Sequence, residues 1–224
     1  MALVLPFPTP DEEGGYRRHL KRLGIPAEAV TEAIGNSNSE RRLAAIGSAK
    51  GAQGYYAYNG VVVGLTDHLP SDEWRRTDLG GVLPLWVNDS RKIKLGVSSG
   101  NAITGVRLPG EQPRTRYPKG ELVRQMVERN PRPGWEPLFD LAMEVEVPGE
   151  LSEYALWLLL FYFDKAKSEI RTEISHPVDV NARGIITGWS PRIIQPPYPA
   201  ADLPGDGEDP NDGFGDIDVP VQPL

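Results

Sequence analysis

The sequence predicts an α+β fold: short N-terminal helices, an antiparallel hairpin-rich sheet, one long buried helix over 151–174, and a disordered acidic C-terminal tail. Helix start and stop signals are concentrated in residues 1–46, and hairpin signals follow them. Helical and hairpin-rich segments are separate rather than alternating, which favours α+β over a repeat of βαβ units. We predict one domain over 1–197 with a helical subregion over 1–46, followed by the tail over 198–224.

Residues 1–46 predict three short helices. Thr9-Pro10-Asp11-Glu12 combines an N-cap, a proline at the first helical position and acids in the first turn, and Gly24 ends this helix. A second helix is predicted over 26–34, and a third follows the polar linker 36–39.

The middle of the chain carries hairpin signals. Asn59-Gly60 lies between the apolar runs 55–58 and 61–63, and Asn-Gly between such runs is a strong hairpin signal. A second hairpin with a longer turn is predicted from 83–87 and 92–97.

The second half of the chain is dominated by one apolar run. Residues 154–163 are apolar throughout, so the long helix predicted over 151–174 is either buried on most sides or an oligomer interface. A helix over 119–129 and an alternating strand over 139–147 are predicted before it, and one more strand or strand pair over 184–194 after it.

The tail carries the whole net charge of −7. After Arg192 there are seven acidic residues and no basic one, so the remaining 24 acidic residues balance the 24 basic ones. Such a segment cannot bury enough apolar area to fold alone. Its acidic lead-in to the apolar Phe214, Ile217 and Val219 resembles the tails of single-stranded-DNA-binding proteins, which dock partners and compete with DNA. The resemblance implies that these three residues dock a partner; the alternative is a tail that only aids solubility.

Composition excludes several classes of protein. The chain has no cysteine, which excludes disulfides and thiolate metal sites and fits a reducing, cytoplasmic compartment. The longest apolar run has ten residues, half of what spans a bilayer, and the first eight residues lack the features of a signal peptide, so we expect no membrane association.

Two weak patterns could support catalysis. Asp67-His68 and His176 with Asp179 each join a histidine and a carboxylate at the end of an element, and together they could bind a divalent metal as nitrogen and oxygen ligands. Glu144 and Glu146 stand on one face of the strand predicted over 139–147, as metal-binding acids of nucleases do, but the usual lysine is missing. Alternatively, these residues are ordinary turn and surface residues.

Residues 107–132 form a basic stretch. It holds seven basic and three acidic residues, and Arg114, Arg116, Lys119 and Arg124 are the candidates for phosphate or nucleic-acid contact. The alternating charges of its helical part are also typical of a solvated helix.

No motif fixes a reaction: the chain has no phosphate-binding loop of the Walker type, no dinucleotide fingerprint and no nucleophile elbow. We therefore expect a non-catalytic binding or structural protein without a cofactor, which contacts a protein partner, another copy of itself, or nucleic acid or another polyanion. The alternative is a small metal-dependent hydrolase or nuclease that uses His68 and His176 with nearby carboxylates.

Overall fold

A computed structural model describes residues 15–44, 48–49, 51–79, 83–130 and 153–200. Its fold is mixed α+β, as the sequence predicts. The helices in the described part are α1 (Gly15–Leu23), α2 (Ala27–Glu40), α3 (Ala52–His68) and α4 (Glu121–Glu128), with short 3-10 turns at Arg41–Leu43 and Lys165–Lys167. The strands are β1 (Arg75–Leu79), β2 (Leu83–Asn88), β3 (Ile93–Ser99), β4 (Ala155–Asp164), β5 (Glu169–Val180), β6 (Ile186–Ile194) and β7 (Tyr198–Pro199). None of the described helices combines the length and hydropathy needed to cross a bilayer.

The strands form a single sheet in the order β1-β2-β3-β4-β5-β6, with β7 paired to β5. Every neighbouring pair is antiparallel except β3 and β4, which are parallel from Ile93↔Ala155 to Ser99↔Phe161. Parallel neighbours need a long crossover, and here the chain between β3 and β4 includes α4. The predicted hairpin over 83–97 is confirmed as β2 and β3, and the predicted helix over 119–129 as α4.

The prediction of one long helix over 151–174 is wrong, because its described residues form β4 and the first half of β5. Trp157, Leu159 and Phe161 face a core shared with α1, α2 and α3, whereas the even-numbered leucines between them face a second core shared with α4. A central strand that is covered on both faces is apolar at every position, and periodicity cannot distinguish it from a buried helix. Leu159 and Leu160 are both fully buried within the chain, as the first alternative for this apolar run predicted.

The hairpin predicted around Asn59-Gly60 is wrong as well, because the residues belong to α3. A Cβ at Gly60 would lie 2.7 Å from Ser37 Cα, and one at Gly64 would lie 2.5 Å from Ala33 Cα. The two glycines therefore mark the close packing of α3 on α2 rather than a turn. This packing also explains why α2 continues through the predicted linker 36–39, since Ser37 is fully buried against α3.

Candidate functional site

The segment 101–120, which we call the strap, connects β3 to α4 and lies along the sheet. Its backbone is tied to the strands at several points: Arg116 N donates to Ser99 O at 3.0 Å, Thr115 N to Ile186 O at 3.2 Å, and Lys119 N to Gly184 O at 2.8 Å. Backbone groups that are paired in this way hold a long irregular segment in one conformation. The sequence gives no repeated pattern that would reveal these bonds.

A buried ion pair fixes the first half of the strap. Glu173 is fully buried, and Arg192 donates to it through Nε at 3.1 Å and through Nη2 at 2.5 Å. Gly105 N donates to the second carboxylate oxygen at 3.0 Å, while Arg192 Nη2 also donates to Val106 O at 3.0 Å. A buried ion pair is tolerated only when its remaining hydrogen-bonding positions are filled, and here the strap backbone fills them. The pair therefore acts as a latch between strap and sheet.

Side chains anchor the second half of the strap. Trp189 Nε1 donates to Pro113 O at 2.8 Å, and Asn101 Oδ1 accepts from the backbone of Arg114 at 3.1 Å. The hydroxyl of Thr115 accepts from Ile186 N at 3.1 Å. Hydrogen bonds therefore hold the backbone before and after Arg114, and the Arg114 side chain extends from this fixed backbone.

An open groove of about 480 Å³ lies between the strap and the start of β6. Its lining surface is about equally polar and apolar, and it consists of Asn101, Ile103, Gly110, Glu111, Gln112, Arg114 and Thr187. The Thr187 hydroxyl donates to Asp179 Oδ2 at 3.2 Å, which places that exposed carboxylate beside the groove. The groove offers hydrogen-bond donors of Arg114 and Gln112 to a bound group.

Three of the four predicted phosphate-contact residues lie together on the strap: Arg114 is exposed, and Arg116 and Lys119 are half-buried. With Arg107, the strap has four basic residues and one acidic residue, a net charge of +3. Arg124 does not join this set. It lies on α4, where it forms ion pairs of 3.1 Å and 4.0 Å with the glutamates at 121 and 128.

The two histidines of the predicted metal site lie in different environments. His68 is exposed at the end of α3, with its Nδ1 3.0 Å from Gly64 O. His176 is buried in β5, where its ring stacks edge-on against Trp157 and its Nδ1 donates to Ser190 O at 3.1 Å. Burial lowers the pKa of His176 to about 4, although the hydrogen bond to Ser190 acts in the opposite direction.

In the described part of the chain, no three His, Asp or Glu side chains are grouped so that they could hold a metal ion. Asp67, His68, His176 and Asp179 are all described, and they therefore do not form such a group. The candidate catalytic pair Glu144 and Glu146 and the candidate docking residues Phe214, Ile217 and Val219 lie outside the described residues.

Sequence patterns missed two features of the site. The latch pair Glu173 and Arg192 gives no local signal, because each residue is only one polar position in a strand. Lys94 is 2% exposed on β3, and burial, with a smaller effect of Arg129, lowers its pKa to about 8.

Comparison with known proteins assigns no family to this chain. No family model, no curated protein and no solved structure matches it. The functional argument therefore depends on the geometry and charge of the described residues.

Proposed function

We propose that this chain is a non-catalytic binding protein whose strap contacts nucleic acid or another polyanion. The observation that carries the proposal is the placement of Arg114, Arg116 and Lys119 on one anchored segment of net charge +3. Phosphate contacts by lysine and arginine supply most of the affinity for nucleic acids without sequence preference. Because the strap is already held by the sheet, little conformational entropy is lost when a ligand binds.

The spacing of the three residues suits several successive phosphates. Five residues of chain span at most about 17 Å, and phosphates along one strand of a duplex rise about 3.4 Å each. Arg114 and Lys119 can therefore contact phosphates up to about five nucleotides apart. The groove beside Arg114 leaves space for one phosphate or base.

The acidic tail is proposed to compete for the strap. The predicted start of the tail at residue 198 is wrong, because Tyr198–Pro199 form β7 and Tyr198 pairs with Ile170 of β5; the acidic residues begin after Ala200. The neighbouring Arg171 lies against the strap, since a Cβ at Gly105 would be 2.8 Å from Arg171 Cβ. Tyr198 and Ala200 themselves pack against the core shared with α1, α2 and α3, and the seven acidic residues that follow them are opposite in charge to the strap. A partner that captures Phe214, Ile217 and Val219 would remove this competitor.

The test is the binding of a fluorescent single-stranded oligonucleotide, and of heparin, at about 50 mM salt, where phosphate contacts are strong. The variant in which Arg114, Arg116 and Lys119 are all changed to alanine should bind at least about tenfold more weakly, and its slope of log affinity against log salt should fall by about 2 to 3. A chain that ends at residue 201 should bind more tightly than the full chain.

The matched control changes Arg17, Arg18 and Lys21 to alanine. These residues are exposed on α1, which packs on the opposite face of the sheet, and the change in net charge is the same. Equal loss of affinity in both triple variants would show that only net charge matters. Negligible affinity of both the full chain and the shortened chain would exclude polyanion binding.

A further inference from the structure

The outward face of α3 is uncharged over four turns of helix. Residues 52–66 include no Asp, Glu, Lys, Arg or His, yet Tyr55 is 54% exposed and Val63 is 41% exposed. A helix without a polar face is normally covered on all sides. Interface centres are depleted in charged residues and enriched in tyrosine. The outward face of α3 therefore has the composition of an interface.

The outward side chains of α3 are arranged symmetrically about the half-buried Asn59; Tyr55, Val63 and Thr66 are exposed, and Ala52 is half-buried. At about 100° per residue, positions 52, 55, 59, 63 and 66 fall within an arc of about 80°. Residue 59 is at the centre of this arc and midway between positions 52 and 66. The opposite side of the helix is used for packing, since Gly60 and Gly64 contact α2. We call the outward arc the α3 ridge.

A ridge with this symmetry can pair with its own copy. In an antiparallel arrangement with a twofold axis at Asn59, Tyr55 of one chain meets Val63 of the other. The two Asn59 amides meet at the axis, where each can donate to and accept from the other. Such an isologous contact pairs the two Asn59 amides with each other, and the Thr66 hydroxyl of the ridge already donates to Val62 O at 2.8 Å within the same helix.

The charges at the two ends of the ridge are complementary under the same symmetry. The 3-10 turn Arg41–Leu43 packs beside the first half of α3, and it carries the exposed Arg42 and the 64% exposed Leu43. The far end of the ridge carries the exposed Asp67. The antiparallel pairing places Arg42 of one copy near Asp67 of the other, twice per dimer. Charge complementarity thus favours a second copy over an acidic segment, which Asp67 would repel.

We propose that the α3 ridge is the interface of a reversible homodimer. The ridge is about 22 Å long and about 10 Å wide, so its footprint is about 220 Å² per chain, below the roughly 600 Å² per partner of the smallest stable interfaces. The dimer is therefore weak, with a dissociation constant of about 10 to 200 µM. The proposal is independent of polyanion binding, because the α1–α3 layer and α4 pack on opposite faces of the sheet.

Sedimentation equilibrium of the full chain, without nucleic acid, tests the proposal from about 5 to 500 µM, a range that brackets the expected constant. Val63→Glu should weaken association more than about tenfold, because it buries an unpaired carboxylate against Tyr55 of the other copy, twice per dimer. Ala102→Glu is the control, since Ala102 is exposed on the strap, and it should leave association unchanged.

A charge-swap cycle identifies the partner. Arg42→Glu and Asp67→Arg should each weaken the dimer about fivefold, and the double variant should return to within about twofold of the wild type. Only a second copy of this chain predicts that recovery. A double variant as weak as the two single variants combined overturns the proposal. So does a full chain that remains monomeric at about 500 µM, whether or not removal of residues 202–224 then permits dimerisation.

Discussion

Replacing Glu173 by glutamine should open the strap and destabilise the whole fold. The carboxylate accepts from Arg192 Nε and Nη2, from Ser175 Oγ at 2.8 Å and from Gly105 N at 3.0 Å. Glutamine has nearly the same shape, but it leaves the guanidinium of Arg192, whose side chain is 13% exposed, without its counter-charge. Removal of one member of a buried pair costs about 3 to 5 kcal/mol, because the other charge stays buried.

Urea unfolding measures this loss. With a denaturant slope of about 2 kcal/mol/M, the midpoint should fall by about 1.5 to 2.5 M without a change of slope. Limited trypsin digestion adds a local measurement. Arg107 is exposed on the strap, so cleavage after it should accelerate once Gly105 and Val106 lose their bonds to the latch.

The control for this experiment is Glu28→Gln. Glu28 accepts from Arg17 on the surface of the helical layer, with both side chains more than half exposed, so its loss should leave the midpoint unchanged. A Glu173→Gln protein that keeps its midpoint within about 0.3 M of the wild type, and resists trypsin equally, would refute the latch.

Two further predictions concern the helical layer and the pH dependence of stability. Gly64→Ala should destabilise the protein by about 1 to 3 kcal/mol in urea unfolding, because the new Cβ would lie 2.5 Å from Ala33 Cα. The control is Gly15→Ala, whose Cβ would have no neighbouring atom within 4 Å, and it should not destabilise the protein. His176 has a folded-state pKa of about 4, below that of the unfolded chain, so the unfolded state binds the proton first and stability falls as the pH drops from about 6.5 towards 4. The wild type should lose about 2 kcal/mol more than His176→Gln between about pH 6.5 and 5, and equal losses in the two proteins would contradict the assignment.

The distribution of charge follows from the sequence alone. The seven acids after Arg192 and the basic residues 114–119 can be read directly, since a count of charges needs no coordinates. Local signals also located the hairpin of β2 and β3, with its polar turn, and the amphipathic helix α4. The hairpin is marked by its polar turn between two apolar runs, although β2 and β3 are buried almost throughout, and α4 is marked by its amphipathic periodicity.

Reasoning from local patterns failed for two elements, β4 and α3. The run 154–163 was assigned to a helix, but it is the central strand β4, because layers on both sides of the sheet remove the alternation. Asn59-Gly60 was assigned to a turn, but the glycines at 60 and 64 serve the close packing of α3 on α2. In each case a partner distant in sequence overrides the local preference.

The candidate site also has features that the sequence predicts and features that only the tertiary structure reveals. The sequence predicted four residues for polyanion contact, namely Arg114, Arg116, Lys119 and Arg124, because charge and spacing are local properties. The ion pairs of Arg124 with its own helix follow from local spacing, whereas only the tertiary structure decided that a buried Glu173–Arg192 pair holds the strap. Those two residues are 19 positions apart and meet across β5 and β6. A pair of this kind is specified by strand register, which depends on the whole sheet.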